Sequence, residues 1–477
     1  MAYQSIWSIW PSSHSRLSER VVKSLSEEEF FLLCHLVYRR ACRRGFPKRK
    51  ARELVRRLFR RRYGIKPWPE LVSFRPNLYF AKYKSNPVLN SLYPEREKIW
   101  RNPSARKVSD HIELRNFSFV NNPNETLAQL QKVALAEARA RVAEIDFCDD
   151  RVLDVGPYMV LGLMSKDMCP FPFGGHMSIP VKKVVEAVEL RSFMNIAKFE
   201  DLHDITDVYA FRLRHRHSAG TSTAAPHAAI SFSKVADELV DTVNEWLGML
   251  PVPFELSSDG REKINKITTE MLENAERHGL PGGDCDWYAC GFMARRDASE
   301  DGREAWYDCH IAFVNIGDSI GDVISRCPLG QIRSDLEKYV GLHAKVRQSR
   351  EVLATLYAMQ DGVSSLPQAR GGRGMMEMVE MTNALGYTDH VAHRPAITVI
   401  SGDSCIQFRG EYCSYVDTDG KALNRLQPFN KSGRFDDPPD TAYVYDLDYR
   451  FPGTIIALRF SLDHAMMEQT EFRNDNN

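Results

Sequence analysis

Residues 267–283, ITTEMLENAERHGLPGG, place Glu270, Asn274 and His278 at successive four-residue steps. Four residues turn an α-helix through about 400°, so these three side chains share one stripe. Ile267 and Met271 lie on the adjoining stripe and suit a core. A carboxylate, a carboxamide and an imidazole are costly to bury together unless something satisfies them. The stripe faces either water or a ligand, and the rest of the chain must decide which.

Two further elements follow it in order. The strand-like WYDCHIAFVNIG breaks into a turn at Asn315-Ile316-Gly317-Asp318-Ser319-Ile320, and GGRGMM, Gly371 to Met376, opens a helical pattern. Chemically the set suits a magnesium nucleotide. An Asn amide oxygen can serve a hard Mg²⁺ ion that keeps waters and phosphate oxygens. A Glu one turn earlier can polarise water for attack on a terminal phosphate. Glycines at a helix start let backbone N–H groups approach phosphate, where the helix dipole favours negative charge. A polar residue at a strand end can read an adenine amino group. Each element alone has a bland reading: ExxxN is usually a solvated helix face, and GGRGM is usually a loop. Their order, each on the expected helix or strand, gives them weight.

These residues resemble the N, G1 and G2 boxes of the GHKL (Bergerat-fold) ATPase superfamily over roughly residues 225–465. EMLENAERHG is particularly similar to the ExxxNAxxHG form of anti-sigma-factor serine kinases. The resemblance implies a C-terminal α/β sandwich, with helices on one face of a mixed sheet, that binds ATP and Mg²⁺. It implies Glu270 as general base and Asn274 as the Mg²⁺ ligand, with His278 beside them. Asn315, Gly317, Ser319 and Ile320 would form the adenine side. Gly371, Gly372, Arg373, Gly374 and Met375 would line the phosphates, below a mobile lid of roughly 321–370. Thr454 of PGTIIALRF is similar to the Gly-Thr pair before the final strand in many members. The chain departs from the pattern at Asn315, where an Asp is usual, and at Ser319, where a Gly is common. Asn315 can still accept a hydrogen bond through its side-chain oxygen, but without the charge.

Upstream, residues 108–204 alternate between strand and helix patterns. LRNFSFV and RVAEIDF read as strands, ETLAQLQKVALAEARA and VGPYMVLGLMSKDM as helices, GGHMSIP as a short strand and VKKVVEAVELRSFM as a helix. Strands separated by helices suggest a small α/β domain. It resembles, more faintly, a STAS domain, with Asp154-Val155-Gly156-Pro157 where that family has a phosphorylatable turn and with no hydroxyl there. An unrelated small α/β domain is the alternative. From 205 to 465, AAISFS reads as a strand, VADELVDTVNEWLGM as a helix, and WYACGFMARR, AITVISGD, SCIQFRG and GTIIALRF as strands. FNKSGRFDDPPD reads as an exposed loop, and 466–477 as a tail.

Residues 1–107 are basic and mainly helical. YRRACRRGFPKRKARELVRRLFRRRYGIK holds one acid, Glu53, against a run of Arg and Lys, and reads as two helices broken at Gly45-Phe46-Pro47. Ser26 suits an N-cap and Pro47 a first helical position. Arg56, Arg57, Arg60, Arg61 and Arg62 exceed what solubility needs, and Phe46, Phe59, Tyr63 and Trp68 are interleaved. Nucleic-acid phosphate is one partner this suggests; an acidic protein surface, or the rest of the chain, is another.

Several function classes recede on bulk properties. The 477 residues, 43% hydrophobic and 26% charged with zero net charge, describe a globular multidomain protein. Ten cysteines without a CxxC pair argue against a zinc ribbon and favour a reducing compartment. No secretory leader and no apolar run of about 20 residues is evident, so a cytoplasmic location is expected, with no membrane partner. Three activities fit the motifs. One is an ATP-hydrolysing switch acting on an unidentified protein or nucleic-acid partner. The others are a serine/threonine protein kinase of the anti-sigma type and a nucleotide sensor without turnover. A homodimer is compatible with each.

Overall fold

The computed structural model describes residues 19–25, 27–43, 45–63, 85–97, 110–138, 143–168, 175–203, 205–216, 231–250, 253–277, 287–296, 306–364, 373–386, 394–417 and 425–462. The chain is a mixed α/β protein that divides into two compact units. The first comprises Met1–His111, Lys132–Glu144 and Asp167–Gly174, and the second the remainder. Among the described residues, no helix is long and apolar enough to cross a membrane.

The first unit carries α1 (Glu19–Ser24), α2 (Glu27–Arg43), α3 (Lys48–Tyr63) and α4 (Pro87–Leu92). The break expected at Gly45-Phe46-Pro47 is present. Gly45 has φ +78°, and the Phe46 N–H donates to the Ala41 carbonyl at 3.1 Å, closing α2 in a glycine-dependent reversal. The Pro47 carbonyl accepts from Lys50 and Ala51 and starts α3. Phe30, Leu33, Cys34 and Ala41 are buried from α2, and Ala51, Val55 and Leu58 from α3, at helical spacing. Ser26, the expected cap, lies outside the described residues. Arg96 is fully buried and donates through Nε and Nη2 to Glu137 at 2.8 and 3.2 Å. Burial is tolerable for this pair because each charge faces its opposite.

Next in chain order come β1 (Asp110–Leu114), α5 (Pro123–Ala138), β2 (Ala143–Phe147), α6 (Gly156–Ser165), α7 (Ile179–Ala187) and α8 (Leu190–Phe193). They are followed by β3 (Val208–His215), α9 (Phe232–Gly248), α10 (Ser258–Arg277), β4 (Trp287–Arg296) and β5 (Trp306–Ile316). Then come α11 (Ile320–Ser325), α12 (Gly330–Leu342), α13 (Arg350–Ala358), α14 (Gly374–Leu385), β6 (Ala396–Arg409), β7 (Val416–Asp417), β8 (Arg425–Leu426) and β9 (Val444–Leu462).

The second unit is organised by a five-stranded sheet in the order β3-β4-β5-β9-β6. Every neighbouring pair in it is antiparallel, where a mixed sheet was expected. Strand alternation sends Trp287, Ala289, Met293, Ile311 and Leu458 into one core with residues of α9, α10, α13 and α14. The opposite face is covered too, which departs from the one-sided sandwich expected. The reason is α6, GPYMVLGLMS, in which every residue from Gly156 to Met164 is buried. A helix apolar all round needs burial all round. A Cβ on its Gly156 would lie 3.7 Å from Ala312 Cβ of β5, and one on Gly162 would strike the Phe193 ring of α8.

Other expectations shift for local reasons. LRNFSFV is strand only to Leu114. Beyond it the backbone turns so that the Phe119 and Val120 N–H groups donate to the buried Asp154 carboxylate at 2.6 and 3.1 Å. Ser231 of AAISFS is instead the N-cap of α9, accepting from Lys234 N. The edge strand beside β4 is VYAFRLRH (β3), whose alternation is broken by a bulge between Phe211 and Arg214. AITVISGD and SCIQFRG form one strand, β6, bent at Gly402 (φ +61°) so far that Gln407 Nε2 reaches Thr398 Oγ1 at 3.4 Å. The lid expected over 321–370 is largely α11, α12 and α13. Val352, Leu353, Ala354 and Leu356 of α13 are core residues, because Ser319 and Ser349 cap helices whose apolar faces match that core.

Candidate functional site

α10 buries Ile264, Ile267, Thr268 and Leu272, leaving Glu270 half-buried and Asn274 exposed. Across from Glu270 lies the first residue of α14. A Cβ on Gly374 would stand 2.5 Å from Glu270 Oε2, the far end of a flexible side chain, and 3.7 Å from Glu270 Cβ, so the two helices come into contact here. The structure thus brings together two motifs separated by about a hundred residues. Burial, followed by the Glu377 charge, pushes the Glu270 carboxyl above the usual carboxylate range, against the pull of Lys266. Lys266 is itself held by Glu377, Nζ to Oε1 at 2.7 Å. Neither the Glu270 carboxylate nor the Asn274 carboxamide has a hydrogen-bond partner among the described residues.

One end of the sheet supplies the next group. Register places Trp287, Asn315, Thr454 and Ser401 in a row across β4, β5, β9 and β6. By alternation this row points to the face that α10 covers. Trp287 Nε1 donates to Glu276 Oε1 at 3.0 Å, tying the last turns of α10 to the row. The Gly317 N–H donates to the Pro452 carbonyl at 3.1 Å, and Gly453 (φ +146°) lies so close to the Asn315 carbonyl that a Cβ would overlap it. The turn at Gly317 is therefore clamped against β9. The Asn315 side chain has no hydrogen bond among the described residues.

The remaining predicted residues behave differently. Ser319 is buried; its Oγ accepts from Asp322 N at 3.1 Å and donates to Glu351 Oε1 at 2.8 Å. The Ile320 N–H donates to Ser401 Oγ at 2.8 Å, and Ser401 Oγ lies 2.8 Å from Thr454 Oγ1. Arg450 binds Glu351, Asp403 and Asp322 at 2.6, 2.7 and 2.8 Å. Ser319, Ile320 and Thr454 thus frame the site with their polar groups already committed. Arg373 is half-exposed and lies 3.3 Å from Asp361 Oδ1, while the other oxygen of this buried carboxylate has no partner among the described residues. Met375 packs against the core. His278, Gly371 and Gly372 lie outside the described residues.

Sequence reasoning misses Lys266, Glu377, Asp361 and Trp287. Lys266 has a legible signal: it extends the Glu270–Asn274 stripe one step toward the N-terminus. Glu377 and Asp361 have none, because only the packing of α14 against α10 and the turn after α13 bring them near. In the first unit, Arg56 and Arg57 lie on α3, Arg57 pairing with Glu53 at 2.9 Å, and Arg60, Arg61 and Arg62 continue the same helix.

A half-buried carboxylate of raised basicity, an exposed carboxamide, an Asn at a strand end with no side-chain hydrogen bond among the described residues and a glycine at a helix start make a donor set suited to a phosphate-bearing ligand and a hard cation. Compared with models of known families, with curated proteins and with solved structures, the chain matches none.

Proposed function

We propose that the second unit is a Bergerat-type Mg²⁺-ATP site that works as an ATP-hydrolysing conformational switch. The observation that carries the reading is the approach of Gly374 to Glu270, 2.5 Å from a hypothetical Cβ to Oε2. It supports a shared cradle formed by the N-box helix and the G2 helix. The open hydrogen-bonding capacity of Glu270, Asn274 and Asn315 fits the group. In this reading Asn274 gives its amide oxygen to the ion, and Asn315 accepts from the base. Glu270 takes a proton from water, a task its raised basicity suits. The bound nucleotide supplies the phosphoanhydride and the ion neutralises its charge. The STAS-like reading of 108–204 has as its support the sequence of β2, the Asp154 turn and α6.

A titration of the purified chain with Mg²⁺-ATP, followed by measured phosphate release, tests the proposal. We expect binding and slow release, abolished release but retained binding in Glu270→Ala, and loss of the Mg²⁺-dependent part of binding in Asn274→Ala. Unchanged turnover in both variants would end the reading. A sensor without turnover is favoured by one observation, Asn315 in place of a charged Asp, and shows itself as binding with no release. Transfer of labelled phosphate to a protein would instead mark the kinase.

A further inference from the structure

The first unit carries a charged surface that the nucleotide site does not use. Where α2 turns into α3, Arg43, Lys48, Arg49 and Lys50 are all exposed, and none pairs with a carboxylate among the described residues. Arg57, one face further along α3, is the exception, held by Glu53. Cations in the first turn of a helix are opposed by its dipole, and α3 has no acid there to relieve them. This arrangement lowers the stability of the free protein and is relieved by an anionic partner. Within the cluster stands Phe46, 40% exposed, with Lys50 Nζ 5.7 Å from its ring centre. The left-handed Gly45 and the Phe46–Ala41 bond fix where that residue leaves α2. A solvated patch has no need of an exposed phenyl ring. A ring among cations is what a strand with unstacked bases and a phosphate backbone engages.

We propose that the α2–α3 turn binds single-stranded nucleic acid, with Arg43, Lys48, Arg49 and Lys50 against the phosphates and Phe46 stacked on a base. Duplex DNA offers no free base face and so would not use Phe46.

Fluorescence anisotropy of a labelled single-stranded oligonucleotide with the full chain tests this across a salt series. We expect affinity to fall steeply with salt. In the Lys48→Glu, Arg49→Glu, Lys50→Glu triple variant the slope of log affinity against log salt should drop by about 2, at roughly 0.7 for each phosphate no longer neutralised. Phe46→Ala should weaken binding roughly five- to a hundredfold while leaving the slope unchanged, because stacking carries no counterion. Thermal melting of each variant verifies the fold, and Phe46→Ala keeps the test open if the triple variant melts early. The proposal is overturned by equal affinity in a folded triple variant, by preference for duplex of the same sequence, or by equal displacement with polyglutamate or anionic vesicles.

Discussion

Two sets of polar side chains lie in the second unit, and they differ in one respect. Ser319, Glu351, Arg450, Asp403 and Asp322 satisfy one another in a connected network, and Ser401 joins Thr454 to the Ile320 N–H beside Ser319. Glu270, Asn274 and Asn315 have no hydrogen-bond partners among the described residues. Buried polar groups are normally paired, so the closed set reads as architecture, holding α11 and α13 to the bend of β6. The open set is exposed or only partly buried, so solvent can satisfy it and its groups stay available to a ligand. Both sets contain residues that match motif positions. A motif match thus names an address, and only hydrogen-bond accounting says whether that address is already occupied by the protein itself.

The largest effect expected from this contrast is on turnover. Glu270→Ala should reduce phosphate release about 10²- to 10⁴-fold, the usual range for losing a positioned base, with ATP affinity in calorimetry changed little. If affinity falls as far as turnover does, Glu270 belongs with the binding groups. Next comes Gly374→Ala. Its methyl group would meet only the flexible end of the Glu270 side chain, so the carboxylate should swing aside with little change in the denaturation midpoint, and the misplaced base should lower phosphate release by up to about 10²-fold. Combining it with Glu270→Ala should cost no further turnover, since the displaced oxygen is already gone; an additional loss would mean that Gly374 acts other than through Glu270.

Ser401→Ala probes the closed set. It strands the Ile320 N–H and removes the partner of Thr454, an expected loss of about 1–3 kcal/mol in urea unfolding, with nucleotide affinity unaltered. A change in affinity without a change in stability would move Ser401 into the open set. The smallest effect concerns pH. Glu270 has its carboxyl pKa raised in the folded state, so the folded chain binds the extra proton and stability declines as pH rises through that window. Glu270→Gln should therefore unfold at slightly higher urea than the parent at neutral pH. That advantage should vanish below the ordinary carboxylate range, where both forms are neutral.

The parts of this fold legible in the sequence are those with a single dominant period. α10, β4, β5 and α14 stand where their patterns put them, whereas a meeting of Glu270 with Gly374 could be expected only from the resemblance and not from any period. The segment 321–370 reads as a lid only when family resemblance outweighs local signals. Ser319 and Ser349, each followed three residues on by the N–H it caps, announce helices, and the run VLATLY in α13 announces burial. β3 escapes notice because a bulge between Phe211 and Arg214 breaks its alternation and turns Arg214 toward Glu238, a pairing invisible along the chain. The second covered face of the sheet has a cue in the apolar α6, but a composition cannot say what a helix lies against. The buried Asp154 is similar. Its raised pKa comes from burial, opposed by donors from 118–120 that only the folded turn assembles.

Trp287 joins the last turns of α10 to the strand end that carries Asn315, and its indole N–H is spent on Glu276. An indole whose only described hydrogen bond crosses from the helix of one motif to the strand row of another is a built-in optical gauge. Its emission will respond to any ligand that shifts those two elements relative to each other. Subtracting the spectrum of Trp287→Phe from that of the parent isolates the signal from the other tryptophans, so binding at the proposed nucleotide site could be followed in real time without attaching a dye.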